Sequence, residues 1–230
     1  MIYNPSALVG ALSGSSGSTT ASGNASSKTI GVRRSRRGKN SPLAQATRAR
    51  FGNNSRAYAA LSSTQAQAWV ALGMSQVTTG RLARSYLLTG MNSYQSINEY
   101  LENTGQTPVS DPPAYTPQGP PSYLTINAVS AASGGPTLTI DTDQDPLPAN
   151  TWMIVYGWSQ TNRSRQSVRQ NQRKLLLFFA PAAAGPYNIL AYYQPLLGNL
   201  QKNRKIWLSV ELVNQYGFAS TPLVTGATVS

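Results

Sequence analysis

Six prolines fall within the 17 residues 107–123, at Pro108, Pro112, Pro113, Pro117, Pro120 and Pro121. A ring that fixes φ and removes the amide donor forbids helix through such a stretch and leaves it extended or polyproline-like. Regular structure must therefore lie to either side of it. Residues 107–122 read as a linker, and the period of the hydrophobic pattern changes across them.

After the prolines the period is two. Leu124, Ile126 and Ala128 alternate with polar residues, as do Leu138 and Ile140. Trp152, Ile154, Tyr156 and Trp158 then alternate against Met153, Val155 and Gly157. Residues 174–180 form a continuous apolar run, residues 206–213 set Trp207, Ser209 and Glu211 against Leu208, Val210 and Leu212, and residues 223–229 close the pattern. Gly134-Gly135-Pro136, Pro146-Leu147-Pro148, Ala184-Gly185-Pro186 and Tyr216-Gly217 separate these segments as turns. About seven short strands divided by turn residues predict an all-β sandwich over residues 123–230. Residues 186–197 fit either a strand or a short helix.

Before the prolines the period is helical. Ser41-Pro42 offers an N-cap followed by proline at the first helical position, and the spacing of Leu43, Ala46, Ala49, Ala57 and Leu61 predicts a helix that Gly52-Asn53-Asn54 threatens to break. Ser62 and Gln65 have capping-box spacing ahead of Trp69, Val70 and Leu72, with Gly73 as the expected stop. Tyr94, Ile97, Tyr100 and Leu101 share one face of a third helix over residues 92–102, ended by Gly105. The aromatic residues of this segment, 41–106, read as core. The fold class is thus α+β in several parts: an extended N-terminal arm, a small helical segment and a C-terminal all-β sandwich.

Residues 13–27 are almost entirely Ser, Gly, Thr, Ala and Asn, a composition with too little apolar surface to offset chain entropy. With the basic run that follows they read as an extended arm over residues 1–40. The first 98 residues hold eleven Lys and Arg and no acid, so nearly all of the chain's net charge of +12 lies there. Charged residues make up only 11% of the chain, where about 25% is usual. A neutral polar surface of this kind suits burial against neighbours. The start of the chain lacks the basic leader of a secretion signal, and no stretch reaches the roughly 18 apolar residues of a membrane span.

The residues 207–222, WLSVELVNQYGFASTP, resemble the last hairpin of a fibronectin type III domain, with an Asn-x-x-Gly turn followed by a Ser-x-Pro strand. The proline-rich lead-in and the aromatic strand from Trp152 to Trp158 are similar to the start and third strand of that family. The resemblance covers residues 120–230 and implies a fibronectin III/Ig-like sandwich, with a longer insertion at residues 187–205 than the family expects. As accessory modules such domains imply adhesion, spacing or assembly. The basic run before Ser41-Pro42, with Arg48, Phe51 and Trp69 after it, resembles uncharacterised proteins of bacteria and their phages, which implies a virion or prophage setting.

No Cys and no His occur, which removes thiolate and imidazole metal ligands, the cysteine nucleophile and the usual base of hydrolytic triads. Asp141, Asp143 and Asp145 have the start of a calcium loop, but Pro146 stands where the turn glycine belongs, and a solvated turn is the alternative. No cofactor, catalytic residue or small-molecule substrate is expected. The candidate contact residues are basic: Arg33, Arg34, Arg36, Arg37, Lys39, Arg48 and Arg50, then a secondary cluster of Arg163, Arg165, Arg169, Arg173 and Lys174, and a third of Lys202, Arg204 and Lys205. No aromatic residues interleave the arginines, so base stacking is not indicated. The pattern points to a structural subunit that binds copies of itself or other virion proteins, without membrane insertion. A nonspecific nucleic-acid binder using Arg33 to Lys39 is the first alternative. An extracellular or cell-surface adhesion or carbohydrate-binding sandwich presenting Trp152, Trp158 or Tyr192 is the second.

Overall fold

The Ser/Thr/Gly-rich stretch near the N-terminus is paired as strands. In the computed structural model, which describes residues 14–16, 19–24, 27–32, 42–79, 85–129, 135–169 and 172–230, β1 (Gly14–Ser16), β2 (Thr19–Asn24) and β3 (Ser27–Val32) form an antiparallel sheet in the order β1-β2-β3. β2 and β3 pair antiparallel from Asn24↔Ser27 to Thr19↔Val32. This is more backbone order than the composition predicts. β-branched Thr19, Thr20, Thr29, Ile30 and Val32 explain why these segments are extended. The sheet belongs to one of two units, Met1–Ala46 and Thr47–Ser230. Arg33, Arg34, Arg36, Arg37 and Lys39 lie outside the described residues.

Helix α1 runs Pro42–Ala59, with proline as its first residue, and passes through Gly52-Asn53-Asn54 without a break. Side chains compensate for the weak helix formers. Ser55 Oγ donates to Phe51 O at 2.9 Å, Arg56 Nη2 donates to Asn53 Oδ1 at 3.2 Å, and Gln95 Nε2 reaches across to Ser55 Oγ at 2.7 Å. Helix α2 (Ser63–Ser75) starts at the Ser62/Gln65 capping box. It continues past Gly73, where a stop is expected from sequence. A Cβ on Gly73 would lie 2.5 Å from Leu88 O, so the glycine serves close packing rather than termination. Helix α3 (Gly90–Asn103) is capped by Thr89. It ends in a Schellman motif, with Gln106 N donating to Leu101 O at 2.8 Å, Gly105 N to Glu102 O at 3.2 Å, and Gly105 at φ +74°. Between α2 and α3, β4 (Val77–Thr79) and β5 (Ser85–Leu87) pair antiparallel. Trp69, Leu72, Tyr94, Ile97 and Leu101 bury together with Phe218 from the C-terminal region.

The remaining strands are β6 (Leu124–Val129), β7 (Thr137–Thr142), β8 (Thr151–Gly157), β9 (Thr161–Asn162), β10 (Lys174–Phe179), β11 (Tyr187–Asn188), β12 (Arg204–Asn214) and β13 (Leu223–Thr228). The ambiguous segment 186–197 is both things at once, β11 followed by helix α4 (Leu190–Leu197). One antiparallel sheet has the order β11-β7-β6 and the other β10-β8-β12-β13, with β9 extending the β8 side of β12. Leu138 and Ile140 of the first meet Met153, Val155, Leu208, Val210 and Leu212 of the second in a common core. The chain is therefore mixed α+β, with antiparallel sheets in its C-terminal half.

The alternation of β12 predicts one wet face, yet Ile206 to Asn214 are buried without interruption. Trp207, Ser209, Glu211 and Val213 point away from the common core and are nevertheless covered. α3 closes over part of this face, where Tyr100 reaches Glu211. The proline-rich stretch is extended, as its rings require, and is fastened along its length. Trp69 Nε1 donates to Ser110 O at 2.7 Å, Asn98 bonds both the N–H and C=O of Val109, and Asn214 Nδ2 donates to Thr116 O at 2.9 Å. Side-chain donors take up carbonyls that this segment cannot pair within itself.

Candidate functional site

Strand register brings two basic segments together that are some forty residues apart in sequence. Arg204 pairs with Asn162 and Lys205 with Thr161 where β9 meets the first residues of β12. Arg163 and Arg165 follow directly in the turn after β9, closed by Arg165 N donating to Asn162 O at 3.0 Å. Arg204 Nη1 donates to Asn162 Oδ1 at 2.5 Å, and Lys205 Nζ lies 4.5 Å from the centroid of the Trp207 ring. Trp158 Nε1 donates to Arg169 O at 2.8 Å and fixes the far side of the turn. Gln160 then clamps the two segments: its Nε2 donates to Asn199 O at 2.6 Å and its Oε1 accepts from Gln201 N at 2.9 Å. A cleft of about 470 Å³ opens beside this clamp, lined by Ser159, Gln160, Thr161, Arg165 and Gln172 with Trp158 at its base.

The acids of the sheet region sit at the other end. β12 runs from Arg204 to Asn214, and β8 runs against it, so that Thr151 pairs with Asn214. The connection from β7 into Thr151 carries Asp143 and Asp145. Asp143 accepts from Ser122 N at 2.9 and 3.0 Å, and Asp145 Oδ1 accepts from Gly185 N at 2.8 Å. These carboxylates cap backbone amides, and among the described residues no three acidic side chains gather in a metal-binding group. The Asp143 carboxyl remains partly desolvated, yet the Ser122 bonds hold it below the ordinary aspartate value.

Two members of the secondary cluster leave it. Lys174 Nζ donates to Leu196 O at 2.7 Å. Arg173 turns inward to ion-pair with Glu211 Oε1, whose residue is 1% exposed, and its guanidinium sits 4.1 Å over the Tyr156 ring. Tyr100 Oη donates to Glu211 Oε2 at 3.0 Å. Burial, and then the Glu211 charge beside it, push the Tyr100 phenol far above the ordinary tyrosine value and keep it a donor. Burial and Glu211 raise Tyr156 likewise, against the pull of Arg173. Desolvation opposes the Arg173 charge, and the Glu211 partner outweighs it. The sequence does not single this buried acid out, because it sits on the strand's polar-looking register; only the absence of any other acid between residues 146 and 210 sets it apart.

Next to this group is a second cleft of about 520 Å³ bordered by Phe51, Asn92, Gln95, Glu99, Tyr156 and Arg173. Partial desolvation raises the Glu99 carboxyl above its ordinary value of 4.5; Arg50 draws it down, Glu102 adds to the rise, and Arg173 draws it down again. Of the other predicted contact residues, Arg50 Nη1 donates to Asn103 Oδ1 at 2.6 Å, and Arg48 lies exposed on α1. Trp158 is 3% exposed with its indole nitrogen committed to Arg169 O, whereas Tyr192 is exposed. Among the described residues no helix is long and apolar enough to cross a membrane. No family model, curated protein or solved structure matches this chain.

Proposed function

We propose that this protein is a non-enzymatic structural subunit, a virion component of the capsid, decoration or tail type, whose N-terminal unit binds neighbouring subunits. The observation that carries the reading is the β1-β2-β3 sheet. Among the described residues it has two edge strands, and Ile30 and Val32 are the large apolar residues in its strands. Three strands need an apolar face or a packed partner to be stable, and an unpaired edge is a template for another chain. Among the described residues of Met1–Ala46 few are large and apolar, and a sheet of that composition gains stability by adding to a neighbour. The low charge content supports the same reading.

A fibronectin III-like sandwich in the larger unit belongs to this proposal. Leaving aside the two-residue β9, the first, second and fifth strands form one sheet and the third, fourth, sixth and seventh the other. That division supports the family's architecture, an antiparallel two-sheet module suited to packing and projection. Deletion of residues 1–40 tests the reading. The full chain is expected to form large particles by light scattering, and the truncated chain to remain small while melting cooperatively. Particles of unchanged size after the deletion, or a full chain that stays monomeric at every concentration, overturn it.

A further inference from the structure

We infer that the end of the sheet at β9 and the start of β12 is a nucleic-acid backbone-binding surface, distinct from the N-terminal basic run. The 65 residues from 146 to 210 contain eight basic residues and no acid. Two of the eight, Arg173 and Lys174, are committed elsewhere, as described above. The other six, Arg163, Arg165, Arg169, Lys202, Arg204 and Lys205, are carried by the two segments that Gln160 holds together. Among the described residues none of the six forms an ion pair. Bringing six cations together without a counter-charge is unfavourable by self-repulsion, and an anionic ligand relieves it.

The composition of the surface selects the kind of polyanion. Four of the six are arginines, whose fork matches phosphate oxygens in bidentate geometry. Around them stand Ser159, Gln160, Asn162, Gln172 and Asn203, the neutral donors that contact phosphate and sugar. In segments 159–169 and 200–205 the one apolar side chain that is not buried is the half-buried Val168 at the cleft wall, too little apolar surface to insert into a lipid interface. The cleft beside the clamp admits a phosphate group to Arg165 at its wall. Segments 159–169 and 200–205 contain no aromatic residue on which a base could stack, so the surface suits binding to the backbone, independent of sequence.

The experiment uses the full chain, a fluorescein-labelled random 20-base-pair DNA duplex and anisotropy titrations from low to moderate salt. Arg163, Arg165 and Lys202 are the residues to change, because none of their side chains bridges the two segments. R163Q/R165Q/K202Q is expected to weaken binding at least tenfold and to lower the slope of log K against log salt by about 2–3, since each lost phosphate contact removes about 0.9. The charge-reversed R163E/R165E/K202E is expected to lose more, with both variants keeping the wild-type melting profile. Replacing Arg33, Arg34, Arg36, Arg37 and Lys39 with Gln separates the two surfaces, because the loss on changing the β9/β12 cations must persist in that background. Wild-type affinity and slope in the triple variant overturn the inference. So does binding of phosphatidylserine vesicles or poly-glutamate, but not DNA, through the same three residues. The inference stands independently of whether the N-terminal unit assembles.

Discussion

Tyr100 donates its hydroxyl to Glu211 Oε2 at 3.0 Å and so joins α3 to the central strand of the larger sheet across 111 residues of sequence. The other carboxylate oxygen of Glu211 is taken by Arg173. Removing a partner from a buried charge costs its desolvation as well as the bond. Tyr100→Phe is expected to lower stability by about 1–3 kcal/mol and Arg173→Met by about 3 kcal/mol in urea unfolding. The double change Arg173→Met/Glu211→Leu is expected to regain much of the second loss, because it leaves no stranded charge. A double variant less stable than Arg173→Met alone contradicts this account.

Two glycines in neighbouring helices are expected to respond to alanine in opposite directions. The nearest atom to a Cβ on Gly52 is Arg56 Nη2 at 3.9 Å, so Gly52→Ala gains about 0.5–1 kcal/mol of stability from helix propensity and chain entropy. Gly73→Ala drives its methyl to 2.5 Å from Leu88 O and is expected to lose about 1–3 kcal/mol through overpacking. Paired thermal melts of the two variants distinguish these outcomes directly.

Ser209 is fully buried, and among the described residues its Oγ has no hydrogen-bond partner. A hydroxyl in that condition costs desolvation and returns nothing. Ser209→Ala is therefore expected to leave stability unchanged or raise it by up to about 1 kcal/mol. A clear loss in denaturant unfolding contradicts this account.

Glu99 gives a pH-dependent signature. Its carboxyl is raised in the folded chain, chiefly by desolvation, so the protonated form is favoured on folding. Its favourable contribution is complete below the unfolded value near 4.5 and is lost as pH rises through the folded value. Glu99→Gln is expected to melt higher than the parent at pH 7 and to match it at pH 4. A variant less stable at pH 7 shows that Arg50 and Arg173 outweigh the desolvation.

Strand positions were readable because Leu124, Leu138, Met153 and Leu208 mark faces at a period of two, and turn residues fall between the runs. The helix starts at Pro42 and Ser62 were equally local, fixed by proline and by a capping pair. What lay beyond reach was contact between elements. Gly73 has the look of a helix stop, and only the neighbouring Leu88 carbonyl reveals its packing role. Glu211 alternates like a solvent-facing residue until α3 is laid over it. Arg163 and Arg204 are separate clusters in the sequence, joined by a register that depends on which strands pair. Arg173 stands among basic neighbours in the chain, whereas its partner Glu211 comes from another strand.

β12 is covered on both faces, and from Leu208 to Val210 it is flanked by strands on both sides. Its central amides are therefore expected to exchange with deuterium only when the unit Thr47–Ser230 unfolds as a whole. Exchange at Leu208, Ser209 and Val210 is then expected to report the total unfolding free energy of residues 47–230. Those three amides give an internal gauge on which every substitution described above can be ranked without denaturant.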